Sequence, residues 1–179
     1  MTDQDNNSQA AGAAAAATDS PKETIFDIRK IYLKDASVES PNSPGIFLSN
    51  ISQPDVKIDA SIKAERLEQD DYYEVSLGIT VTSTAEEQTA FLVEVHQAGI
   101  FHIVGIPLED MPLALEIACP NVLLPFAREA IADLVAKAGF PQLLLSPINF
   151  EALHQQKNHQ LANQKQAEPA GEVPAEQIN

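Results

Sequence analysis

Val56-Lys57-Ile58-Asp59-Ala60-Ser61-Ile62-Lys63-Ala64-Glu65 alternates apolar and polar side chains without a break, and a period of two puts one apolar and one charged face on a strand. The same alternation returns in Tyr73, Val75, Leu77, Ile79 and Val81 against Glu74, Ser76, Thr80 and Thr82. Between them, 67–72 holds Glu68, Asp70 and Asp71 and reads as the hairpin connection. Residues 89–104 predict a third strand, rich in β-branched and aromatic types, with a bulge or bend at Gly99. Residues 25–35 predict a fourth, less regular strand, followed by a turn-rich stretch with Pro41, Asn42, Pro44 and Gly45. Four strands joined without long helical crossovers favour an antiparallel sheet.

After Pro107 the spacing becomes helical. Pro112 makes 108–118 a short or irregular helix. From Pro125 to Ala138, Phe126, Ala130, Ile131, Leu134 and Val135 follow a 3.6-residue period, and Gly139 stands where a left-handed cap belongs. Asn149 is placed to cap a final helix carrying Phe150 and Leu153. Strands first and helices afterwards predict an α+β fold, a four-stranded antiparallel sheet with helices packed on one face.

This folding region, 25–154, is flanked by biased segments. Residues 1–24 hold Met1 and seven alanines as their only apolar side chains, which predicts a disordered alanine-rich acidic tail. Residues 155–179 repeat glutamine, carry Pro169 and Pro174 and predict a second disordered tail. The 179 residues carry a net charge of -15. Nineteen of the acids but only eight bases fall within 25–151, so the acidity belongs to the folded part. That balance excludes a partner held mainly through phosphates, hence no nucleic acid and no anionic lipid surface. No apolar run reaches the ~20 residues of a membrane span, the start lacks a basic signal region, and the single Cys119 suits a reducing compartment. A cytoplasmic protein without direct membrane insertion is expected.

The usual chemistry-bearing residues form no catalytic pattern. His96 and His102 are six apart across a glycine and His154 and His159 are five apart, and neither spacing matches a zinc signature. Cys119 precedes Pro120 outside any nucleophile motif and is expected to pack. The seven glycines form no phosphate-cradling loop. No enzyme, metal or cofactor is expected. The informative feature is apolar excess: in the strand at 89–98, Phe91, Val93, Val95 and Gln97 point one way and Leu92, Glu94 and His96 the other. A sheet this apolar with few helices to cover it predicts oligomerisation first and peptide binding second.

Several strings resemble the bacterial protein-export chaperone SecB family. They are Ile31-Tyr32-Leu33-Lys34-Asp35, Glu39-Ser40-Pro41-Asn42, Thr89-Ala90-Phe91-Leu92-Val93-Glu94-Val95 with Gly99-Ile100-Phe101, Pro120-Asn121-Val122-Leu123-Leu124-Pro125-Phe126-Ala127-Arg128-Glu129, Gly139-Phe140-Pro141-Gln142-Leu143 and Pro147-Ile148-Asn149-Phe150-Glu151-Ala152-Leu153. The resemblance implies an ATP-independent holdase that binds unfolded preproteins and delivers them to the SecA translocase ATPase, assembled as a homotetramer from two dimers that pack through helices. Carried over by position, Asp35, Glu39, Leu92 and Glu94 would present an acidic surface to SecA. Phe91, with Val56, Ile58 and Phe126, would line the client-peptide groove, and Val93, Val95 and Gln97 would support the oligomer interface. Ala60 is small where relatives tend to carry larger aliphatics, which would make the groove shallower. The readings from other classes are a small-molecule-binding α+β domain and an acidic adaptor without holdase activity.

Overall fold

The computed structural model describes residues 24–48 and 54–167. It contains one four-stranded antiparallel sheet in the order β1-β4-β3-β2, with β1 at Ile25–Glu39, β2 at Asp55–Arg66, β3 at Tyr72–Ala85 and β4 at Gln88–Val104. β3 and β4 are therefore central, and β1 and β2 are the two edges. The hairpin expected at 67–72 joins β2 to β3. A tighter two-residue turn joins β3 to β4, with Glu86 and Glu87 both at positive φ, the backbone that a two-residue hairpin demands.

The register assigns the faces. Val56, Ile58, Ala60 and Ile62 of β2 lie opposite Ser83, Val81, Ile79 and Leu77 of β3, and these in turn lie opposite Phe91, Val93, Val95 and Gln97 of β4. Residues directly opposite share a face, so this whole array faces one side, and its β3 and β4 members are buried. The reverse face carries Lys57, Asp59, Ser61 and Lys63 of β2 with Leu92, Glu94, His96 and Ala98 of β4.

The bend expected at Gly99 is absent. The pairing runs unbroken through Gly99 to Ile31 on one side and Val75 on the other. The irregularities lie instead at Arg29 and Lys34 of β1 and at the β3–β4 end beside Ser83. A Cβ at Gly99 would stand 2.8 Å from the Phe101 ring and 3.0 Å from the Leu123 side chain. The glycine thus gives room to the helix layer and does not break the strand.

That layer begins with one α-turn, α1 at Met111–Leu113, passes through a π-helical turn at Ala114–Ala118, and continues as α2 at Cys119–Lys137. The irregular stretch expected before 118 is this π-turn, in which the Cys119 N–H donates to the Ala114 carbonyl five residues back. The regular helix starts six residues before the Pro125 start read from the sequence and contains Pro125 within it. Leu123, Ala127, Ile131 and Val135 of α2 are wholly buried against the apolar sheet face. Gly139, at φ +91°, ends α2 as expected. The Asn149 side chain accepts the Ala152 N–H at 2.9 Å at the start of α3, Phe150–Ala167.

α3 corrects the expected tail boundary: residues 155–167 are helical. Few apolar side chains follow Gln155, but the anchors lie elsewhere. Phe150 is fully buried, and Glu116 of the π-turn accepts from Lys157 at 2.5 Å and pairs with His154 at 2.6 Å. The residues before Pro169 are mostly good helix formers. Of the tails expected at 1–24 and 155–179, residues 1–23 and 168–179 lie outside the described residues.

Candidate functional site

The sheet offers two surfaces of opposite chemistry. On the face away from α2, β1 pairs with β4 so that Glu39 stands opposite Leu92, Ser37 opposite Glu94 and Asp35 opposite His96. The four residues expected to form an acidic surface, Asp35, Glu39, Leu92 and Glu94, therefore occupy one corner of one face. The Glu94 carboxylate is held at 2.9 Å by Nε2 of His96. Farther along the same face, Tyr32 and Lys34 reach across Ala98 to Glu74 of β3. Lys34 donates to both Glu74 oxygens, at 2.9 and 2.8 Å, and the Tyr32 hydroxyl donates to one of them. These bonds hold Glu74 below the ordinary carboxylate range, while burial and then the Glu74 contact push Tyr32 up to about 12.

The α2 side of the sheet opens into an apolar cleft of about 260 Å³ beside β2, lined by Pro54, Val56, Ser83, Ala90, Phe91, Phe140, Pro141, Gln142 and Leu143. Its floor is aromatic: the Phe140 ring packs 5.0 Å from Phe91 and 5.0 Å from Phe47. Val56 and Phe91 both line this cleft. Ile58 follows Val56 on the same face of the edge strand and is 43% exposed. Two positions on, Ala60 and Ile62 line a second depression with Glu116, Leu153, His154 and Lys157. The apolar edge of β2 is thus flanked at one end by 140–143 and at the other by α3, over ~20 Å at 3.3 Å per residue.

Phe126 is not part of this cleft. It is 47% exposed on α2, in the helix layer. Val93 and Val95 are fully buried and Gln97 is 5% exposed within a single protomer. Their side chains face α2, which covers them, so any support they give to assembly passes through the protomer's own packing. Phe140, Pro141 and Leu143 were missed as groove residues. The signal was a phenylalanine and a leucine placed around a proline outside any periodic element.

Cys119 is fully buried, and burial pushes its thiol up to about 12, the behaviour of a packing residue. His102 stacks on Tyr72 with centroids 4.6 Å apart. Among the described residues no three His, Cys, Asp or Glu side chains are grouped to hold a metal ion, and no helix is long and apolar enough to cross a membrane.

The SecB family model, described as preprotein translocase subunit SecB, matches residues 19–161. The chain belongs to the SecB family. It is 50% identical over 148 residues to the protein-export protein SecB of Methylococcus capsulatus, covering 83% of this chain and 93% of that one. To the protein of the same name from Neisseria meningitidis it is 47% identical over 148 residues, covering 82% and 95%. A solved SecB-like chaperone of Mycobacterium tuberculosis, in complex with a ChAD peptide from the HigA1 antitoxin, shares the fold with a TM-score of 0.58 at 16% identity, over 69% of this chain and 90% of that one. The four-stranded antiparallel sheet with helices on one face is thus the SecB-like fold, in agreement with the α+β expectation.

Proposed function

We propose that this SecB-family chain is a holdase that binds unfolded preproteins without ATP and delivers them to the SecA ATPase for export, working in the cytoplasm as a homotetramer of two dimers. The observation that carries the holding half is the apolar cleft running beside an edge strand. Among the described residues β2 pairs with β3 only, so its outer edge has backbone groups to offer an extended chain, and Val56, Ile58 and Phe91 lie beside it with Phe140 and Leu143. Burial there is worth about 25 cal/mol per Å² and is indifferent to client sequence. The relatives named protein-export protein SecB and the peptide-bound SecB-like neighbour support this reading.

Delivery is assigned to the opposite face. Asp35, Glu39 and Glu94 around Leu92 form an acidic patch suited to a basic segment of SecA, attracted at long range and weakened by salt. Because β4 contributes Phe91 to one face and Leu92 and Glu94 to the other, client and motor can be engaged together. Phe126, exposed on α2 with Leu113 nearby in sequence exposed on α1, fits a helix-to-helix contact between dimers better than a place in the groove. Suppression of the aggregation of an unrelated denatured protein tests the reading: equal protection with and without ATP is expected, and absence of protection overturns it.

A further inference from the structure

The apolar row on β2 changes character half-way along. Val56, Ile58, Ala60 and Ile62 share one face, opposite Ser83, Val81, Ile79 and Leu77. Ile58 is exposed, whereas Ile62 is half-buried and packs against the core, as does Leu153 of α3. A depression of about 210 Å³ lies between the two elements, lined by Ala60, Ser61, Ile62, Glu116, Leu153, His154 and Lys157. The far half of the row is thus closed off by α3 and the π-turn, and the near half lies open.

α3 itself is held at few points. Phe150 is fully buried at its start, the side chains of residues 155–160 are all exposed, and the helix meets the rest of the described fold chiefly through the π-turn. Glu116 makes that meeting. One of its oxygens is 2.6 Å from His154 Nδ1 and the other accepts from Lys157 Nζ at 2.5 Å, two side chains three residues apart and therefore on one face of the helix. An ionised carboxylate only accepts, so Nδ1 donates whether the ring is neutral or charged. The π-turn fixes the carboxylate from its own side: the Cys119 N–H closes it onto the Ala114 carbonyl, and Asn121 Nδ2 donates to the Ile117 carbonyl at 2.9 Å. Lys157 is exposed, and its pair alone holds weakly; the His154 contact is largely shielded from water, where a charge-assisted bond is stronger. Such a grip keeps α3 down and still yields to apolar burial by a bound chain.

We propose that Glu116 is the positioning residue that sets the length of the client groove. By docking α3 through His154 and Lys157 it closes the Ala60–Ile62 half at rest. An extended client first occupies the Val56–Ile58 half and gains the far half only when the Glu116 contacts break. The latch therefore lowers client affinity, because a site that is competent in only a fraction of the molecules binds more weakly by that fraction. The inference rests on the reading of the cleft beside β2 as the client groove.

Three full-length variants test it. Glu116→Lys sets a cation against Lys157, Glu116→Gln keeps the shape without the charge, and Glu116→Lys/Lys157→Glu restores an opposite pair. Hydrogen exchange should show the amides of 155–160 losing protection about tenfold in Glu116→Lys, less in Glu116→Gln, and recovering in the exchanged pair. Fluorescence titration with reduced, carboxymethylated lactalbumin, a permanently unfolded client, should show about fivefold tighter binding by Glu116→Lys and a return toward wild type in the exchanged pair. A merely destabilised protomer gives no such gain. Should Glu116→Lys fail to fold, Glu116→Gln carries both measurements in the same directions. Unchanged protection removes Glu116 as the latch, and protection lost with client affinity unchanged or weaker shows that α3 does not close the groove. Either result overturns the inference and leaves the holdase reading standing. If the wild type itself captures no unfolded client, the holdase reading falls and the inference falls with it.

Discussion

Glu94 and Val95 are consecutive residues separated by the thickness of the sheet: Val95 is fully buried beneath α2, while the Glu94 side chain is 43% exposed on the other face with His96 against it. Substitutions at the two positions should therefore fail in different ways.

Glu94→Lys reverses a charge on the face proposed for SecA and replaces the acceptor of His96 with a cation. SecA affinity should fall about tenfold or more, equivalent to ~1.4 kcal/mol, and the residual binding should depend less steeply on salt. Client affinity and assembly should be unchanged. Calorimetry with SecA and with a denatured client checks both halves, and an unaltered SecA constant would remove Glu94 from the surface.

Val95→Arg places a charge among Ala36, Ile79 and the helix layer, where no water reaches it. The expected cost is roughly 4 kcal/mol or more, so the protomer itself should lose cooperative unfolding. Urea melts followed by circular dichroism alongside sedimentation will show this; a variant of normal stability that merely dissociates would contradict the burial seen here.

Ile58→Asp acts on the groove and spares the fold, because Ile58 is already 43% exposed on an edge strand. Loss of its contacts with an extended client should weaken client binding about tenfold while SecA binding persists. Fluorescence titration with a labelled unfolded client gives the number. Equal weakening by Phe126→Ala would return Phe126 to the groove.

Phe126→Lys tests the helix layer as the place where dimers meet. Light scattering should report dimers, with client binding per protomer largely kept. Intact tetramers would send the search for the contact elsewhere.

Glu74 and Glu116 link stability to pH in the same direction. Hydrogen bonds from Lys34 and then Tyr32 lower the Glu74 pKa. At Glu116 burial alone would raise it, but Lys157 and His154 together outweigh burial and lower it. Both folded values lie below the ordinary 4.5, so the contribution is complete above that value and is lost as pH falls from about 5 through the folded values. Urea midpoints of wild type and of Glu74→Gln/Glu116→Gln should differ at pH 7 and converge toward pH 3. A constant difference would exclude the linkage.

The strands of this protein were legible from residues 56–65, 73–82 and 89–104 because alternation is a local signal: each Cβ points opposite to the last wherever the strand ends up. The Gly139 and Asn149 caps were legible for the same reason, since each acts within a few residues of itself. The acidic corner could be named through resemblance alone, as nothing local says that Asp35 will stand opposite His96 or Glu39 opposite Leu92.

Tertiary structure decided which face of β4 the helix would cover, and with it that Val93, Val95 and Gln97 are core while Leu92 and Glu94 remain accessible. It also decided that α3 continues past Gln155, because its grip on Glu116 spans 38 and 41 residues of sequence. It brought Phe140, Pro141 and Leu143 to Phe91 and Val56 although no periodicity marks 140–143. The physical division is one of range. Side-chain direction and capping depend on backbone geometry over a few residues, whereas pairing register, coverage and cleft formation depend on which distant surfaces exclude water from one another.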